Sequence, residues 1–128
     1  MLKLKQALLA VVVLLFSISA NAEVLLEDNS KILGTWTLYA EAAQLHKEKV
    51  ELFSVWDFRT DGIIHTESED RFGRTKTLKI DLKYAVENGK VMKQKNPGRS
   101  KMDTCSIVKM EGREMIMKCP FVYLFFRR

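Results

Sequence analysis

Turn-forming signals recur along this chain at short intervals, and their spacing constrains the fold more than any other feature. Asp61-Gly62, the run Arg71 to Arg74 around Gly73, Asn88-Gly89, Asn96-Pro97-Gly98, Glu111-Gly112 and Cys119-Pro120 divide it into short segments. Asn-Gly and Asp-Gly supply the positive φ that tight hairpins need. The segments between them are rich in β-branched and aromatic residues and partly alternate. The cleanest alternation is "TLKIDLKYAV", which places Leu78, Ile80, Leu82, Tyr84 and Val86 on one face and Lys79, Asp81 and Lys83 on the other. Such a strand has one face in a core and one in water. "KVELFSVWDF" likewise puts Val50, Leu52, Ser54, Trp56 and Phe58 on one face.

Eight strands are predicted, at about 33–40, 50–59, 62–70, 76–86, 90–95, 101–110, 113–119 and 121–127. Nearly every connection is short, so strands adjacent in sequence are expected to pair. An open meander of this size exposes two edges, and closure into an up-and-down barrel removes both. Eight strands leave an interior that side chains fill or that holds one small ligand. The expected fold class is therefore all-β, an eight-stranded antiparallel barrel, with an open two-sheet sandwich as the alternative. The stretch "AEAAQLHKEK", residues 40–49, has helix-favouring composition and no turn dipeptide. It is read as a short helix or a lid-like loop.

The barrel accounts for only part of the chain. The opening "MLKLKQALLAVVVLLFSISANA" has a basic start at Lys3 and Lys5, an apolar run from Ala7 to Ile18, and the small-x-small site Ala20-Asn21-Ala22. This is the pattern of a cleaved secretory signal peptide. The apolar run is 12 residues long, short of the roughly 20 that span a bilayer. Residues 1–22 are expected to be removed, leaving a domain at 23–128 in the periplasm or outside the cell. No Cys follows the apolar run, so no lipid anchor is expected.

Gly34-Thr35-Trp36 on the first strand resembles the glycine-x-tryptophan signature of the lipocalin and calycin barrels. Together with "WDFRTDG" (Trp56 to Gly62) and the tail "YLFFRR", the layout is similar to small bacterial lipocalin-like domains across the predicted mature chain. The resemblance implies that Trp36 lies across the closed end, with Arg127 or Arg128 packed over it. Physics favours that contact, because a guanidinium over an indole face is attractive. Gly34 would permit close backbone approach at the corner. The chain is shorter than the larger lipocalins, and no second family motif is evident near Phe72.

Charge is unevenly distributed. Residues 23–70 hold 11 acids and 4 bases, and residues 71–128 hold 5 acids and 15 bases. In a closed sheet these halves form opposite arcs of one wall. The basic arc (Lys79, Lys83, Lys90, Lys93, Lys95, Arg99 and Lys101) could steer an acidic partner or could be plain solvated surface. No motif accompanies it that would read nucleic acid.

Cys105 and Cys119 are the two cysteines of the chain. With Gly112 at the centre of the hairpin turn, Ile107 faces Met117 and Cys105 faces Cys119, close enough to bridge. In an exported chain a disulfide is expected, ahead of a redox pair or a metal site. His65, Glu67 and Glu69 share a face that could hold a metal but reads more simply as solvated surface, so no metal is expected. Ser54, Ser68, Ser100 and Ser106 lie in no nucleophile elbow, and the glycines mark turns rather than phosphate loops. The protein is expected to be non-catalytic and without a cofactor.

The functional candidates are then the inward residues: Leu52, Ser54, Trp56 and Phe58; Leu78, Ile80, Leu82 and Tyr84; Met115, Met117, Tyr123 and Phe125. They either line a cup for a small apolar or amphipathic ligand, or fill the core. The second case leaves a filled barrel acting as an accessory subunit or inhibitor that docks an acidic partner through its basic half. A ligand is expected to enter opposite Trp36, near residues 40–49.

Overall fold

The computed structural model describes residues 23–69 and 77–128. The predicted signal peptide and the turn at Arg71 to Arg74 lie outside the described residues. The strands are β1 (Gly34–Ala42), β2 (Val50–Phe58), β3 (Ile63–Ser68), β4 (Leu78–Glu87), β5 (Lys90–Gln94), β6 (Met102–Glu111), β7 (Glu114–Cys119) and β8 (Val122–Arg127). Each pairs antiparallel with its neighbours in sequence, and β8 returns to β1, closing the barrel. The predicted all-β barrel and its strand count are therefore observed, with ends within about two residues of those expected.

Tight turns set the parity of the hairpins. Asn88 and Gly89 both have positive φ, the pattern of a two-residue I′ turn. Glu87 then pairs with Lys90 and Tyr84 with Lys93. Side chains of cross-strand partners point to the same face, so Lys93 follows Tyr84 inward. Between β7 and β8, Cys119 pairs with Val122 around Pro120-Phe121. Proline first and positive φ second is the type II pattern, whose second place glycine usually takes. Here Phe121 takes it, at φ 67, a strain worth about 1–2 kcal/mol for a residue with a Cβ.

Two expectations need correction. Among the described residues no helix occurs, and the 40–49 segment is not one. β1 runs on to Ala42, and a turn closed by the Lys47 amide donating to the Gln44 carbonyl follows. The reason is a bulge at Tyr39, where β1 carries an extra residue against β8. The bulge rotates Ala40 and Ala42 to the outer face, where they pack with Phe125, Tyr39, Ile116 and Tyr123. The β1–β2 loop folds over this patch, with Lys49 Nζ 4.3 Å from the Phe125 ring centroid.

The second correction concerns β8. Phe125 is 2% exposed, but it belongs to that outer cluster, as does Tyr123. The inward residues of β8 are Leu124 and Phe126, which face Met117 and Met115. Large apolar residues occupy both faces of "VYLFF", so alternation alone could not choose between them. The two-residue turn fixes the parity.

Cys105 and Cys119 form a disulfide with Cα atoms 4.3 Å apart. The hairpin turn is in fact Gly112-Arg113, with Glu111 opposite Glu114, and a bulge at Val108 restores the register that pairs Ile107 with Met117. The bridge spans a sequence separation of 14, for which chain entropy suggests about 3 kcal/mol of stabilisation. The barrel interior is mostly apolar while β3 and β4 turn His65, Glu67, Lys79, Asp81 and Lys83 outward, the inverse of a membrane-spanning barrel.

Candidate functional site

The barrel has one sealed end and one open end. At the sealed end Trp36 is fully buried and donates from Nε1 to the Ile32 carbonyl at 2.9 Å. Arg128 lies over the indole, Cζ 4.0 Å from the ring centroid, and donates to the Leu33 carbonyl at 3.0 Å. Gly34 has φ +100, and a Cβ there would stand 3.9 Å from the Arg128 guanidinium. It is the left-handed backbone, more than crowding, that calls for glycine. Arg127 does not join this seal. Its backbone pairs with Thr37 in the closing ladder, and its guanidinium lies outside, 4.7 Å from the Tyr39 ring centroid.

Above Trp36 the core is packed with aromatic rings. Trp56 meets Phe126 edge to face at 5.2 Å, and Phe58 meets Tyr84 likewise at 5.5 Å. Tyr84 donates to the Arg59 carbonyl at 2.6 Å and accepts from Asn29. Burial pushes its phenol pKa up, with the Asp61 and Asp57 carboxylates adding to the effect. Val24 bridges to Ile107, its amide donating to the Ile107 carbonyl at 2.8 Å, and the Leu26 amide donates to the Gly89 carbonyl. This N-terminal segment closes the gap where β6 outruns β5.

Toward the other end the interior opens into a cavity of about 690 Å³. Its apolar walls are Leu38, Leu52, Ile80 and Leu82, with Trp56 among its lining residues. One side carries a polar rail. Trp56 Nε1 donates to Ser54 Oγ at 3.0 Å, Ser54 Oγ and Ser68 Oγ share a hydrogen bond at 2.7 Å, and Thr66 Oγ1 donates to the Ile80 carbonyl. Glu51, Phe53, Glu69, Lys95, Asn96 and Pro97 form the mouth.

The mouth extends sideways because β4 and β5 part company. Their last paired residues are Tyr84 and Lys93. Beyond them the Gln94 side chain spans the gap, accepting from the Lys83 amide at 2.8 Å and donating to the Arg99 carbonyl at 2.9 Å. The first half of β4 therefore faces the 95–97 loop across the cavity rather than across a ladder.

Of the residues proposed from sequence, Leu52, Ser54, Trp56, Ile80 and Leu82 line this cavity. Phe58, Tyr84, Met115 and Met117 are core below it. Leu78 shares the inward parity of β4 but stands at the rim, 58% exposed. Tyr123 and Phe125 lie on the outer wall. Sequence reasoning missed Leu38, Thr66 and Ser68. The last two alternate with Ile64, a period-2 signal hidden by their polarity.

The basic wall also changes. Lys79, Lys83, Lys90, Lys95, Arg99 and Lys101 remain at least partly accessible, but Lys93 points inward and is 8% exposed. Its Nζ is 3.4 Å from Asp103 Oδ2 and 5.9 Å from the Trp56 ring centroid. On the outside, His65 sits between Asp81 (2.5 Å at Nδ1) and Glu67 (3.2 Å at Nε2). Hydrogen bonds to those carboxylates, Asp81 first, hold its imidazole pKa above the usual value. Both ring nitrogens are engaged, which favours imidazolium over a metal ligand. Among the described residues no group of three metal-ligating side chains converges.

No protein-family model, curated protein or solved structure matches this chain.

Proposed function

We propose that this protein is an exported, non-catalytic lipocalin-like binding protein whose cup holds a small apolar or amphipathic ligand. The observation that carries this reading is the cavity of about 690 Å³ at the end opposite Trp36. That volume lies in the range of about 300–1,000 Å³ common for small-molecule sites, and its mix of apolar wall and a few placed polar groups is their usual chemistry. The Arg128–Trp36 seal is the arrangement implied by the lipocalin resemblance. The disulfide suits an oxidising compartment, and among the described residues no helix is long and apolar enough to cross a membrane. The filled-barrel alternative finds less support, since only the sealed half is packed and Lys93 leaves the basic wall.

The two tryptophans make a direct test possible. Trp56 lines the cup and Trp36 lies beneath the seal. Titration with dodecanoate should give a saturable change in tryptophan emission that Trp56→Phe abolishes. Native mass spectrometry of protein taken from its own host should show a co-purifying small molecule. A silent titration together with an empty native protein would overturn the reading.

A further inference from the structure

Phe121 combines two costs at one position. It holds a left-handed backbone conformation at φ 67, and the residue is 94% exposed. Glycine would remove both, and the neighbouring disulfide at Cys119 holds the turn in place. Strain and apolar exposure at one residue point to function rather than to folding.

Its surroundings say what kind. Phe121 stands at the open end of the barrel, on the arc from β4 to β8. Leu78 and Met102 open their strands on the same arc and are also exposed. Between these apolar tips lie the exposed bases Lys95, Arg99, Lys101 and Lys118. Among the described residues of this arc the exposed acid nearest the rim is Asp81, which is held by His65 and shares a recess with Arg99. Asp103 is drawn inward by Lys93. Glu51 lies on β2, off this arc, whereas Glu69 follows Ser68, the partner of Leu78, and borders the arc at its β4 edge; the turns at the sealed end carry Asp61, Glu87 and Glu111.

From this placement we infer that the β4–β8 arc of the rim docks on an anionic lipid bilayer, with Phe121 inserted among the headgroups. The apolar tips are single side chains spaced along strand ends, which suits a plane better than a pocket. Interleaved lysine and arginine add attraction to anionic headgroups, and interfacial binding grows with both contributions. The lateral mouth between β4 and the 95–97 loop opens on this same arc. If the cup holds an amphiphile, as proposed above, docking would place its entrance against the membrane.

Protein recovered after export, with its N-terminus fixed by intact mass, should co-sediment with vesicles containing phosphatidylglycerol and much less with phosphatidylcholine alone. Binding should fall steeply as salt is raised to about 0.5 M. Phe121→Gly should weaken vesicle binding by about tenfold or more while its melting temperature stays level or rises. Paired Arg99→Glu and Lys101→Glu substitutions should weaken it without disturbing dodecanoate titration. Absence of binding to anionic vesicles, or Phe121→Gly binding as well as the parent, would overturn the inference; in the former case a protein partner becomes the better reading of the rim. Vesicle binding reports the rim and dodecanoate reports the cup, so the two proposals fail separately.

Discussion

Lys93 brings a charge into an interior otherwise uncharged among its buried side chains, and Asp103 meets it there. A pair of this kind is weak support for stability, yet removing one partner is costly because the other charge is stranded. Asp103→Ala should therefore destabilise by on the order of 2–3 kcal/mol, somewhat under the value for a fully buried pair, because Asp103 keeps partial access to water. Lys93→Met should cost less than Asp103→Ala, because it removes the more deeply buried charge, keeps much of the volume and leaves a carboxylate that water still reaches. Urea unfolding of both variants checks the asymmetry, and equal losses would contradict it. The inward turn of Lys93 was beyond reach from composition, because a lysine among lysines looks like surface. The Asn88-Gly89 turn held the answer: a two-residue turn places Lys93 opposite Tyr84, and Tyr84 was already assigned inward.

At the scale of elements, strands were legible wherever a turn residue forced their ends and alternation named one face. β4 satisfies both conditions and was read correctly apart from its exposed first residue. β8 met only the first, since aromatic residues fill both of its faces. Bulges left no trace in the sequence. The one at Tyr39 turned an expected helix or lid into a longer strand and an outer-wall loop. The one at Val108 made the cysteine register come out right around a differently placed turn. The β3–β4 pair carries a pH response of its own. The imidazole pKa of His65 is raised in the folded state, so its contribution is complete below about pH 6.5, the unfolded value, and is lost as pH rises through the folded value. Glu67, whose carboxyl pKa is lowered mainly by the hydrogen bond from His65, contributes above its unfolded value and loses that as pH falls. Thermal stability should decline on the alkaline side of this window in the parent, and the decline should be smaller in His65→Gln.

For the whole molecule, the barrel is two halves with different duties. The sealed half is close-packed around Trp36, Phe58, Ile107, Met115 and Phe126, all buried to within 1%. The open half has a cavity, a parted wall and exposed strand starts. Regions with few buried apolar contacts open at lower free energy. Hydrogen exchange should therefore be slowest at amides of β6 and β7 near Ile107 and Met115, tracking global unfolding. It should be faster at the mouth ends of β4 and β6, and dodecanoate should slow the second set more than the first. Uniform exchange across both sets would remove the division.

The ladder that closes the ring joins Thr37 to Arg127. A chain emerging N-terminus first, from a ribosome or a translocation pore, presents β1 with only one of its two neighbours until β8 appears. Until then β1 is an unpaired edge, and Trp36 lacks the guanidinium that covers it. Closure is thus a late, non-local step of the kind that slows folding. The interval before it is when this protein would be most exposed to edge pairing with other chains.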